Sequence, residues 1–175
     1  MNRFSTIVAA SALLGLAAVA NAQAGDTTTD FTPVNLSFRA GIGLPLDNAL
    51  ANYSSTLIGL GVDYTFDRPW IAGGDTYISL DYLTKNLTFS GGIFPLCVNQ
   101  RFYFKNGRRA HRTYAFVGLG VAVVNITNSN TVVAGRAGLG ADLGDAIFVE
   151  VAGLVSDKTN NATASSVAFY VGYRF

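Results

Sequence analysis

The chain has 175 residues, half of them hydrophobic, with 12 Lys and Arg against 11 Asp and Glu. That near balance offers nothing to a nucleic-acid backbone, and a single cysteine, Cys97, excludes an internal disulfide and a CxxC metal site. One His and one Cys do not make a zinc site, and the acidic residues are dispersed rather than grouped at calcium-loop spacing, so no cofactor is expected.

Residues 1–22 read as a secretory signal peptide: Asn2 and Arg3, an apolar run from Ile7 to Ala20, then small residues that allow cleavage after Ala22 or Ala24. The run is too short and too rich in Ala for a membrane span, and no later stretch holds the ~18 uninterrupted apolar residues that a spanning helix needs. Removing it takes away Arg3 and leaves 11 basic against 11 acidic side chains, on a remainder of about 150 residues, the length of one domain. Residues 23–33 form a short polar lead-in, and residues 34–175 must bury a large apolar surface without a second helix.

From Val34 onward, segments of about ten residues alternate apolar and polar positions between turn-forming clusters, the pattern of two-faced strands. The first, Val34 to Leu44, sets Leu36, Phe38, Ala40 and Ile42 against Ser37, Arg39, Gly41 and Gly43, and a polar loop follows from Pro45 to Ser54. The second, Thr56 to Phe66, sets Ile58, Leu60, Val62 and Tyr64 against Gly59, Gly61 and Asp63, and ends in the turn Asp67-Arg68-Pro69-Trp70. The third, from about Thr76, has Ile78, Leu80 and Tyr82 opposite Ser79, Asp81 and Lys85; a turn at Ser90-Gly91-Gly92 would place Asp81 across from Arg101.

The fourth, about Ile93 to Phe104, is irregular, because Gln100 shares a face with Leu96, Val98, Phe102 and Phe104, and Pro95 lacks a ladder donor. Either a bulge shifts the register there or one amide meets the apolar surroundings. After the basic turn Lys105 to Arg112, the fifth strand, Tyr114 to Val124, sets Val117, Leu119, Val121 and Val123 against Gly118, Gly120 and Ala122, though both faces are apolar enough to be inverted. A loop from Asn125 to Thr131 leads to the sixth, with Val133, Ala137, Leu139, Ala141 and Leu143 opposite Arg136 and Asp142. The seventh follows the turn Gly144-Asp145 and sets Ile147, Val149, Val151 and Val155 against Phe148, Glu150, Ala152 and Leu154; Ser156 to Ala164 is again a loop.

The apolar faces hold no Lys, Arg, Asp or Glu, whereas the opposite faces carry Arg39, Asp63, Asp81, Arg101, Arg136, Asp142, Glu150 and Arg174. An arginine on a lipid-facing wall costs about 2–4 kcal/mol, and a soluble lipocalin-like barrel would show the reverse arrangement. The expected fold is therefore all-β, an eight-stranded antiparallel up-and-down transmembrane β-barrel. Its narrow interior favours pairing of the opposed charges into a plug that holds the strands in register. The alternative is a narrow passive pore, porin-like, for ions or small solutes.

The last segment, Ser165 to Phe175, alternates Val167, Phe169, Val171, Tyr173 and Phe175 with Ser166, Ala168, Gly172 and Arg174. A surface strand of a soluble sandwich would leave this aromatic row open to edge pairing. The ending Tyr173-Arg174-Phe175 resembles the C-terminal signal read by the barrel-assembly machinery, with the usual upstream glycine displaced to Gly172 and Tyr170 in its place. Signal segment, eight amphipathic strands and this ending together resemble the small outer-membrane β-barrel family that includes OmpA-type transmembrane domains and OmpX-type proteins.

The resemblance, over about Val34 to Phe175, implies a monomer in the outer membrane of a Gram-negative bacterium, in contact with its lipid and lipopolysaccharide, with both termini periplasmic. Tyr64, Trp70, Phe102, Phe104, Tyr173 and Phe175 would form an aromatic girdle at the periplasmic interface. The short loops depart from adhesin-like members. Some small barrels modify lipid A with a histidine and a serine or acid, but the single His111 falls in the basic turn on the periplasmic side, which points away from catalysis. Lys105, Arg108, Arg109 and Arg112 of that turn suit either anionic headgroups or plain solvent.

Overall fold

Alternating side chains commit each segment to two faces, and in the computed structural model of the protein eight such strands close into one antiparallel barrel. The structure describes residues 35–72, 74–86, 91–104, 112–126, 129–158 and 163–175. The expected signal peptide, the lead-in at 23–33, His111 and the basic residues Lys105, Arg108 and Arg109 lie outside the described residues. The strands are β1 (Leu36–Pro45), β2 (Leu57–Thr65), β3 (Gly74–Thr84), β4 (Gly92–Tyr103), β5 (Thr113–Asn125), β6 (Ser129–Asp142), β7 (Ile147–Ser156) and β8 (Ser166–Arg174). Strand β1 bonds β2 on one side and β8 on the other, so that Ala40 lies between Leu60 and Val171 and no edge is left unpaired.

Five details differ from the sequence reading. Asp81 does not face Arg101: the β3–β4 register sets Asp75 opposite Arg101 and Leu80 opposite Leu96. The pairing is therefore centred several residues before Gly91, whose carbonyl accepts from the Thr84 and Tyr82 hydroxyls at 3.1 and 2.9 Å. No bulge occurs at Pro95 either. The ladder is interrupted beside it and resumes in the same register at Leu83–Ile93, and β4 pairs β5 without a break from Gly92 to Tyr103.

Gln100 does lie on the outer face, but it is buried there rather than exposed. Its carbonyl oxygen accepts from Thr76 Oγ1 at 2.6 Å, and its Nε2 donates to the Ile71 carbonyl at 3.4 Å, while Thr76 Oγ1 accepts from the Trp70 amide at 2.7 Å. The turn after β2 thus folds back over the wall and covers the amide. The loop expected from Pro45 to Ser54 contains a helix, α1 (Asn48–Tyr53), and the loop expected from Asn125 to Thr131 is mostly strand, paired out to Asn125–Ser129.

The facing of β5 is the one read from Val117, Leu119 and Val121: these are exposed, Leu119 at 73 %, while Ala122 is buried. The interior is filled in layers. Toward the loops lies an apolar cluster of Leu57, Leu83, Ile93, Val124, Val132 and Leu154, packed with Leu50 of α1, which is only 1 % exposed. Toward the termini lies an aromatic layer of Tyr77, Tyr114, Phe116 and Tyr170, also buried. A large inward ring is accommodated by a glycine directly across the ladder: Tyr114 opposite Gly140, Phe116 opposite Gly138, Phe148 opposite Gly172.

A Cβ at Gly140 would run into the Tyr114 ring, which is itself fully buried. Gly140→Val is expected to destabilise the folded barrel by about 1–3 kcal/mol, the cost of overpacking. Urea unfolding of detergent-refolded protein, followed by tyrosine fluorescence, would read the shift in midpoint. An unchanged midpoint would show that the ring yields without cost.

Candidate functional site

Strand parity turns one side chain in two toward the axis, and in the described strands all the charged ones take that side. Arg39, Asp63, Asp81, Arg136 and Glu150 meet at mid-barrel from five different strands. Asp81 Oδ1 accepts from Arg39 Nε at 3.1 Å and Nη2 at 2.7 Å, and Arg39 Nη1 is ion-paired with Asp63. Arg136 Nη2 donates to Glu150 Oε1 at 2.5 Å, and its Nε lies 4.0 Å from Asp81 Oδ2, so Asp81 links the two arginines. All five residues are buried. Three carboxylates against two guanidiniums leave this layer one negative charge in excess.

The guanidiniums also rest on rings, Arg39 5.2 Å from the Tyr170 centroid and Arg136 4.8 Å from that of Phe116. Such contacts offset part of the cost of taking a cation out of water. Alongside, Asn99 Nδ2 donates to Ser79 Oγ at 2.9 Å, extending the polar layer across β3 and β4.

The other three residues of the expected network, Arg101, Asp142 and Arg174, do not join it. They sit nearer the termini, at the opposite end of the lumen from the apolar cluster. Arg174 Nη1 donates to Asp142 Oδ1 at 2.6 Å, and Arg112 Nη2 lies 3.3 Å from Asp142 Oδ2. Arg101 is sandwiched between Tyr77 and Tyr114, 4.5 and 4.7 Å from their centroids, with Asp75 Oδ2 at 3.7 Å. Tyr103 Oη donates to that same Asp75 oxygen at 2.6 Å. The sequence reading missed Asp75 and Arg112 as partners here, and missed the tyrosines; the inward parity of Tyr77 and Tyr114 was the available signal.

On the outside, Tyr64, Trp70, Phe102, Phe104 and Tyr173 are exposed at the end of the barrel that carries the termini, Trp70 at 72 %. Trp70 stacks on Phe66 at 6.1 Å, with Tyr64 edge-on to Phe66 at 5.7 Å. Phe175 packs between Phe38 at 5.6 Å and Tyr173 at 4.9 Å.

No family model and no curated protein matches the chain. Among solved structures it is similar in fold to the outer membrane enzyme PagL, with 15 % identity over 79 % of this chain and 98 % of that one and a TM-score of 0.54. Two further structures align: the Yersinia pestis outer membrane protein Ail in a phospholipid nanodisc, at 14 % identity, covering 80 % of this chain and 98 % of that one with a TM-score of 0.48; and the N-terminal β-barrel domain of Pseudomonas aeruginosa OprF, at 15 % identity, 82 % and 100 % coverage and a TM-score of 0.47. Identity this low concerns the fold alone.

Deleting one member of a buried ion pair strands the other, which costs about 3–5 kcal/mol, whereas replacing both with apolar groups of similar volume is close to neutral. Glu150→Ala is therefore expected to lower stability by that amount, and the double change Arg136→Met with Glu150→Leu to recover most of it. Urea unfolding in detergent measures both; equal losses in the single and double variants would mean that the pair itself is what holds the lumen.

Proposed function

We propose that the protein is a non-catalytic integral β-barrel of a bacterial outer membrane, with a structural or surface-interaction role and a lumen plugged by its own side chains. The observation that carries this reading is the sorting of residues across the wall. Outward positions of the described strands bear no charge and present large exposed apolar groups, among them Ile42, Leu80, Leu119, Val133, Val155 and Val171. In water so continuous an apolar surface would aggregate; in hydrocarbon it is the solvated face, and a closed sheet satisfies the backbone groups that lipid cannot.

The aromatic residues at the termini end suit a membrane–water interface; in this reading that end faces the periplasm, and the opposite end, which carries α1, faces outward toward lipopolysaccharide. Tyr173 and Phe175 would be read by the assembly machinery. A closed ladder without a free edge favours a monomer. A plugged, non-catalytic lumen is supported by the commitment of Asp63, Asp81 and Glu150 to arginine partners and by the apolar cluster at the loop end.

A narrow passive pore for ions or small solutes is the second reading. It is favoured by Asp63 Oδ1, Tyr77 Oη, Asn99 Oδ1 and Arg136 Nη1, buried polar atoms that have no hydrogen-bond partner among the described residues.

Two measurements test the proposal. The protein should migrate differently on gels before and after boiling, as a detergent-resistant barrel does; identical migration would remove the barrel itself. In planar bilayers the inserted protein is expected to be silent, and Arg136→Ala and Glu150→Ala to leave it so, because the apolar cluster around Leu50 remains. Discrete openings that change with those substitutions would favour the pore.

A further inference from the structure

The polar lumen is not uniform along its axis. Mid-barrel the described charges sum to one negative, whereas at the termini end Arg101, Arg112 and Arg174 face, among the described residues, only Asp75 and Asp142. Asp142 is shared by two of these arginines, and Asp75 is engaged by Tyr103 and lies 3.7 Å from Arg101. A buried guanidinium is stable when its charge and its in-plane donors are both met, and neither condition is fully satisfied here among the described residues.

The donors left over have a common geometry. Rings cover the faces of Arg101, and its Nη1 points to Tyr103 and Asp75, but Nε and Nη2 have no hydrogen-bond partner among the described residues. Arg174 lies 4.7 Å from the Phe148 centroid and gives Nη1 to Asp142; again Nε and Nη2 are unpartnered, as is Arg112 Nε. The Nε/Nη2 edge is the fork that grips two oxygens of one tetrahedral or planar oxyanion. Both forks belong to arginines within 6 Å of the same Tyr114 ring, Arg101 at 4.7 Å and Arg174 at 5.6 Å. The side chains of Arg112 and Arg174 are 30 % and 20 % exposed, so this end of the lumen is reached from solvent.

We propose that the termini-side mouth of the lumen is a binding site for a small oxyanion of the phosphate class, held by Arg101, Arg112 and Arg174. Binding turns the two part-exposed arginines toward the anion while Asp142 remains their common acceptor. The anion supplies acceptors for the Nε and Nη2 of Arg101, which Asp75 does not reach. The same chemistry is offered by free phosphate and by the headgroup of an anionic phospholipid.

Inorganic phosphate titrated into the detergent-refolded protein, read by calorimetry, tests the site, with phosphatidylglycerol in mixed micelles as a second arm. Saturable binding is expected, weakened about tenfold or more by Arg101→Gln or Arg174→Gln, the loss of a charge-assisted bond, and unchanged by Arg68→Gln in an exposed turn. Arg101→Lys keeps the charge but not the fork and is expected to bind as weakly as the Gln variant; simple charge attraction would restore it. Saturation by phosphate assigns a free anion, and a response to phosphatidylglycerol alone that Arg101→Gln abolishes assigns the headgroup. Binding of neither, or binding untouched in both Gln variants, overturns the proposal. Gel mobility before and after boiling confirms that each variant is closed; should Arg101→Gln not fold, Arg174→Gln and Arg112→Gln carry the comparison.

Discussion

Closure of β8 onto β1 is the constraint from which the rest follows. Once the strands of the wall are paired sideways into a closed ring, each side chain has two destinations, the lumen or the exterior, and strand parity assigns them alternately. A slip of one residue would turn Arg39, Asp63 and Arg136 outward and Ile42, Leu60 and Leu139 inward. Register is therefore held by the difference between the two environments as much as by the hydrogen bonds themselves.

The interior then has to be filled at fixed width. Eight strands leave room for side chains and little else, and this chain uses three kinds of filling along the axis: an apolar cluster packed with α1, an ion-paired layer at mid-barrel, and arginines interleaved with tyrosines near the termini. Glycines across the ladder from Tyr114, Phe116 and Phe148 create the space those rings need. Small and large residues are thus matched pair by pair, so the packing order is written into the register. The polar layers hold charge of opposite sign at different depths, which gives the lumen a direction that neither its total charge nor its composition reveals.

The turn after β2 shows how the exterior is managed where the pattern fails. Gln100 is an amide on an apolar wall, and its desolvation would be costly if left unmade. The chain answers by folding residues 66–72 over it and bonding it to Thr76 and the Ile71 carbonyl. The same fold brings Phe66 and Trp70 into a stack, so one local correction also builds part of the aromatic rim.

Strand number and the facing of the strands that carry charge were legible in the sequence, because a period of two is a local property that each residue carries regardless of its partners; the facing of β5, apolar on both sides, was not. Nor was it legible which charges meet. Asp81 could be placed against Arg101 on hairpin symmetry, yet it joins Arg39 and Arg136, since the β3–β4 register sets Asp75 opposite Arg101 and the lumen brings together strands distant along the chain. The apolar cluster escaped notice for a similar reason: Leu57, Leu83, Ile93 and Leu154 are scattered singly among polar positions and come together only when the sheet curls. The sequence by itself determined which way side chains point in the strands that carry charge, through alternation along one strand; the tertiary structure decided which side chains touch, because contact across a closed lumen depends on the register of all eight strands at once.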